Sequence, residues 1–174
     1  MVAHVDLAGY FLPVRVRQTA ATAAVATIWT MRNTHATKSA LIKSIDLNLG
    51  GDSGVGGIAA YELCRFSAAT PTGGSALTPI EMRTSSTFVS CITDARQVDT
   101  GLTVAGVTFE TAFAALQHGG SLAGPTRLQL TMLDNARTWS GFELSPGEGL
   151  AIRLVATAVI GQVIAGYVFW DERL

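Results

Sequence analysis

The chain repeatedly alternates apolar and polar side chains over short runs, and glycine, proline or small polar residues cut each run off. Successive side chains on an extended strand point to opposite faces, so a period of two marks a strand with one buried face. The run 127–133 shows it most cleanly, with Leu128, Leu130 and Met132 set against Arg127, Gln129 and Thr131. From 41 to 49, Leu41, Ile45, Leu47 and Leu49 oppose Ser44, Asp46 and Asn48, and Lys43 interrupts the apolar side, which places it near the strand's exposed start. From 149 to 157, Leu150, Ile152 and Leu154 point inward. The segment 26–33 sets Trp29 and Met31 against Ile28, Thr30 and Arg32, and 9–17 alternates weakly around Pro13, which suits an edge strand or a bulge.

Helical periodicity is nearly absent. The Ala-rich TAFAALQ within 107–117 is the one place where a turn or two of helix is expected. The remaining runs, 58–66, 139–144 and 163–170 among them, bring the expected total to about eight to ten strands. The connections carry turn chemistry. Ser145-Pro146-Gly147-Glu148 has Pro to set one φ and Gly to accept a positive one, as a type II turn requires. Glycine-rich stretches at 50–57 and 67–79 suit loops at the ends of a sandwich. The expected fold is an all-β, jelly-roll-like antiparallel sandwich with little helix, spanning 1–174 as one domain, with 1–9 a possible N-terminal arm.

Composition narrows function. Charged residues are 14% of the chain, and 18 of its 174 residues are glycine. Soluble domains average about 25% charged. Much of the outer surface is therefore weakly polar, and burying it against neighbours is a natural remedy. The net charge of −1, with Arg and Lys scattered singly, speaks against nucleic acid as partner. Met-Val-Ala-His-Val-Asp has no cationic region before an apolar core, so no signal peptide is expected. The apolar stretch 150–170 is long enough to span a bilayer, but Ile160-Gly161-Gln162 breaks it, and it reads as a core hairpin instead. No membrane partner is expected.

Candidate chemistry is sparse. Gly51-Asp52-Ser53-Gly54 matches the nucleophile segment of chymotrypsin-like proteases, whose glycines free backbone N–H groups for an oxyanion hole. The upstream histidines, His4 and His35, do not complete the constellation, and a glycine loop between strands predicts the same letters. His118 lies apart from both, without the clustering that metal sites need. Asp94, Asp99, Asp134, Glu143 and Glu148 supply carboxylates but no pair in apolar isolation. Cys64 and Cys91 fit no metal spacing and read as two small buried hydrophobes, with pairing left open. Trp29 and Trp170 are expected in the core. Trp139 follows a polar turn and is expected to be partly exposed, where it stacks on a sugar ring, anchors a protein interface or packs at a strand end. Tyr10 and Phe11 beside Arg15 and Arg17 form an amphipathic strand that suits either docking on a neighbouring chain or an ordinary sheet edge.

The runs GYFLPVRVRQTAATAAVATIWTMRN, YELCRFSAATPTGGSALTP, FELSPGEGLAIRLVA and VFWDE resemble small jelly-roll-like virion proteins of tailed bacteriophages, which decorate or cement the capsid or form head fibres. The resemblance extends from Gly9 to Glu172 and rests on turn and strand motifs, with LSPGEGLAI similar to the penultimate hairpin of such sandwiches. It carries over no functional residue. It implies a non-enzymatic particle component, often trimeric, assembled in a bacterial cytoplasm and located on the virion surface. The expected function is thus capsid decoration or cementing by a homotrimer, with the major capsid protein or another virion protein and copies of the chain as partners and no cofactor. A receptor- or carbohydrate-binding module built around Trp139 with Asp134 or Asn135 is the alternative, and a small hydrolase using Ser53 a third reading.

Overall fold

The computed structural model describes residues 9–17, 26–51, 58–67, 70–82, 89–97, 102, 104, 111–119, 126–131, 142–154 and 162–173. These contain twelve strands and no helix. In chain order they are β1 (Gly9–Arg17), β2 (Thr27–Asn33), β3 (Ser39–Gly51), β4 (Ile58–Phe66), β5 (Ser75–Leu77), β6 (Ile80–Glu81) and β7 (Ile92–Gln97). They continue with β8 (Thr111–Gly119), β9 (Thr126–Thr131), β10 (Phe142–Leu144), β11 (Gly149–Leu154) and β12 (Gln162–Arg173).

Two antiparallel sheets face one another as a β-sandwich. The first runs β10-β3-β12-β1-β6, with β9 also on β3; the second runs β5-β7-β2-β11-β4-β8. Strand β9 pairs with residues 44–49 of β3 and β10 with residues 40–42, so the two behave as one interrupted strand beside β3. Setting β5, β6 and β7 aside leaves eight strands, here numbered along the chain with β9 and β10 as one. Their orders are then one-eight-three-six and two-seven-four-five, the jelly-roll arrangement. The three remaining strands lie in the connection from β4 to β8. They widen the sandwich on one side: β6 on β1, and β7 with β5 on β2.

This topology corrects several sequence expectations. The stretch 150–170 is not a hairpin, because β11 pairs with β2 and β4 while β12 pairs with β1 and β3 in the opposite sheet. Leu150, Ile152 and Leu154 of β11 and Ile164, Val168 and Trp170 of β12 fill the core between the sheets. Likewise the turn after β10 is a corner between sheets, not a hairpin, though its chemistry is as expected: Gly147 has φ 88° and the Glu148 N–H donates to the Ser145 carbonyl at 3.0 Å. The TAFAALQ segment is strand β8, not helix; the free edge of β4 offers it a full ladder, and tertiary pairing overrides alanine's helix preference. The loop expected over 67–79 contains β5, preceded by Gly73 and Gly74 at φ 73° and 66°.

Lys43 is likewise relocated. Ser44 pairs with Phe169 but Ile42 with Trp170, so Lys43 is the extra residue of a β-bulge. The bulge flips the alternation. Ala40 and Ile42 face the core before it and Ile45, Leu47 and Leu49 after it, while Leu41 lies outside the core cluster. A second bulge, opposite Ile152 and Arg153, lets consecutive Ile28 and Trp29 both enter the core. Trp29 and Trp170 are fully buried, as expected, and Leu150, Ile152 and Leu154 point inward.

Candidate interaction surface

Strand β1 builds the candidate site because its alternation separates two sets of side chains. Tyr10, Leu12, Val14 and Val16 are buried in the core, whereas Phe11, Pro13 and Arg15 lie on the outer face of the first sheet. Tyr10 therefore leaves the group expected to dock on a neighbour: it is 2% exposed and its ring stacks on Trp170 at 5.8 Å. Phe11 and Arg15 remain as outward residues. Arg17 pairs with Val163 in the ladder, and its side chain lies outside the described residues. Gly9 belongs to β1, and residues 1–8 lie outside the described residues.

Neighbouring strands extend this outer face. Phe11 stands opposite Phe169 and Ile80, and Phe169 opposite Ser44; Pro13 stands opposite Tyr167, and Tyr167 opposite Asp46. Directly opposed residues of an antiparallel pair share a face with Cβ atoms about 5 Å apart. The result is an apolar strip across β6, β1 and β12, bordered on β3 by Ser44 and Asp46. Ile80 is 45% exposed, Tyr167 42% and, just beyond β6, Met82 61%. A groove of about 380 Å³ runs along the strip, lined by Phe11, Ser44, Met82, Tyr167 and Phe169.

Two pairs of opposite charges beside the strip are held within the chain. Arg127 grips Asp46 with two hydrogen bonds, at 3.0 Å to Oδ1 and 2.5 Å to Oδ2, and these hold the Asp46 carboxyl below its usual range. Lys43 approaches Asp171 at 3.5 Å. Asn48 and Gln129 add exposed amides at the rim.

Other polar groups serve the framework. The Asn33 side-chain amide is buried between the Lys38 and Leu144 carbonyls, at 2.7 and 2.9 Å, and its oxygen accepts from the His35 N–H at 3.0 Å. His35 Nδ1 accepts from the Thr37 and Lys38 N–H groups, which organises the turn between β2 and β3. Buried Glu172 accepts from the Cys91 N–H at 2.6 Å and lies 3.5 Å from Lys38. Cys64 and Cys91 are buried free thiols. Burial, then Glu62, pushes Cys64 up to about 11, and burial, then Glu172, pushes Cys91 up as well. Neither thiol is activated as a nucleophile.

Of the candidate carboxylates, Asp94 pairs with Arg96 at 2.8 Å, Glu148 pairs with Arg65 and accepts from the Ser145 N–H, and Glu143 is exposed on β10. His4, Asp52, Ser53, Asp99, Asp134, Asn135 and Trp139 lie outside the described residues, as does the side chain of His118. Among the described residues no cluster of three or more His, Cys, Asp or Glu is placed to hold a metal, and no helix is long and apolar enough to cross a membrane.

Sequence reasoning missed Ile80, Met82, Tyr167 and Phe169. Strand β12 is apolar on both faces, so alternation does not reveal which set faces out. The two-residue β6 is too short to show a period.

Strand order and outer face together define the class: a jelly-roll β-sandwich with an apolar strip on one solvent-facing sheet. Compared with known protein families, curated proteins and solved structures, the chain matches none.

Proposed function

We propose that this chain is a structural virion protein that decorates or cements a tailed-phage capsid by binding the shell and its own copies. The observation that carries the reading is the apolar strip of Phe11, Ile80, Met82, Tyr167 and Phe169, laid across the outer face of one sheet. Exposed contiguous apolar surface of this kind marks contact with other macromolecules, and a broad sheet face meets a broad partner. Two further features support it. The jelly-roll order recurs among particle-forming proteins. The 14% charge content leaves a bland surface that gains most from burial in an assembly. Many copies on one shell turn a modest contact into lasting attachment through multivalency.

The test is co-sedimentation with capsids assembled without the protein. Purified chain should saturate them at a fixed stoichiometry of many copies per particle and raise their resistance to heat. Protein that stays in the supernatant at every ratio refutes the proposal, and saturation at a dozen copies or fewer replaces decoration with a fibre or tail role.

A further inference from the structure

We infer that the cleft between the two sheets beside β6 binds a primary alkylammonium group, with Glu81 as its counter-ion. The cleft is separate from the apolar strip, and it gives a role to the three strands added to the jelly-roll set.

Register places the carboxylate. Glu81 stands opposite Tyr10 of β1, and Ile80 stands opposite Phe11. Directly opposed residues share a face. Ile80 therefore joins Phe11 on the outer face, while Glu81 turns with Tyr10 toward the space between the sheets. The cleft there has a volume of about 320 Å³, at the lower end of the roughly 300–1,000 Å³ of small-ligand sites. Its other wall comes from β5 and β7 of the second sheet, through Leu77, Ile92 and Thr93.

Charge selects a cation. Glu81 is the one charged side chain among the described residues lining the cleft. Its Oε1 is shielded from solvent and has no hydrogen-bond partner among the described residues. A shielded carboxylate oxygen is unfavourable until a donor reaches it, and a cationic donor relieves it most. Burial, then Glu172 and Glu81, pushes the Tyr10 hydroxyl up to about 12, so the negative field of both carboxylates reaches the wall that Tyr10 supplies. Lys38 matches Glu172 at 3.5 Å, which leaves Glu81 as the carboxylate to be neutralised.

The lining narrows the kind of cation. Among the described residues no three His, Cys, Asp or Glu converge as ligands, so a hard metal ion would lack the oxygen shell it requires. A single shielded oxygen suits the point charge of an ammonium, whereas a guanidinium fork is matched by two. An ammonium carries three donors, and Thr78, Ser90 and Thr93 bring hydroxyl oxygens to the lining. Ser90 Oγ is anchored there, accepting from the Ile92 N–H at 3.1 Å. Leu77, Pro79, Val89 and Ile92 offer apolar wall to a carbon stem, the combination that a short aliphatic amine or a lysine side chain requires.

Amide-resolved NMR titration of the full chain with n-pentylamine at neutral pH tests the site, with 1-pentanol as the uncharged control. The expected result is saturable shifts at Glu81, Ser90 and Thr93 with a Kd on the order of 1 mM, weakened about tenfold or more by Glu81→Gln. Val89 is 73% exposed at the cleft, so Val89→Asp and Val89→Lys change its charge without disturbing the core. The first should tighten pentylamine binding and the second weaken it, about threefold each. Nα-acetyl-lysine methylamide separates the sources of the group: if it binds as tightly as pentylamine the site takes a partner's lysine, and if pentylamine alone binds it takes a free amine. No saturable shifts with pentylamine, equal shifts from pentanol, or an affinity that Glu81→Gln and both Val89 variants leave unchanged overturns the inference.

Discussion

Replacing Gly166 with alanine tests the register at the centre of the first sheet. Gly166 pairs with Leu47, and a methyl group there would sit inside the contact shell of the Asp46 carbonyl oxygen, 2.8 Å from its carbon and 3.0 Å from Leu47 Cα. Carbon atoms pack at about 3.5–4.0 Å, and the atoms in the way are backbone, so β3 and β12 must part by about 1 Å. Hydrogen bonds of about 2.9 Å then stretch past the roughly 3.2 Å limit of good geometry, and about two of them fail. At about 1 kcal/mol each, with loosened core packing added, the substitution destabilises by about 3–5 kcal/mol. That lowers the melting temperature by roughly 10 °C.

Two other glycines serve as references in the same urea and thermal melts. Gly147→Ala meets no atom within 4 Å but sits at φ 88°, which costs about 1 kcal/mol. Gly9→Ala meets the Phe169 ring at 3.2 Å and Asp171 Oδ1 at 3.6 Å, both ends of side chains that can swing aside, for an effect of about 0.5 kcal/mol or less. The order Gly166, then Gly147, then Gly9 is the prediction. Should Gly166→Ala fall within error of Gly9→Ala, the pairing of β3 with β12 is wrong.

Stability also falls at alkaline pH. Burial, with Glu172 and Glu81, pushes Tyr10 up to about 12, and burial alone does so for Tyr61. Their neutral forms stabilise the fold fully below the unfolded value near 10, and that contribution is lost as pH rises toward 12; about 2–3 kcal/mol per tyrosine should disappear from urea-derived stability. Cys64, raised to about 11, adds a loss starting near pH 9. Asn33→Ala leaves the Lys38 and Leu144 carbonyls without their donor and should cost about 2–4 kcal/mol in denaturant unfolding, with Asn33→Asp no rescue. At acid pH the sign reverses for Asp46, whose lowered value means its stabilisation exists above the unfolded carboxyl value and is lost as pH falls through the folded one. Asp46→Asn should therefore flatten the acid limb of the stability profile below the unfolded carboxyl value near 4, and an unchanged limb refutes the assignment.

The sequence by itself determined the class of fold. Alternation at 127–131 and 149–154, Pro146-Gly147 at a corner and the lack of helical period follow from local rules: side chains alternate along any strand, and φ preferences belong to single residues. It also placed Trp29 and Trp170 inside. What only the tertiary structure decided is which neighbours each strand takes. Hydrogen bonds between strands carry no sequence code beyond register, so β11 and β12, adjacent in the chain and equally apolar, part to opposite sheets. The Lys43 bulge reverses the inward set within β3, an effect that period counting across the bulge averages away. The joining of Tyr167 and Phe169 to Phe11 in one strip lies beyond sequence reading for the same reason. A strand apolar on both sides turns one of them outward only once its partners are chosen, and that choice made Tyr10 core and Phe11 surface.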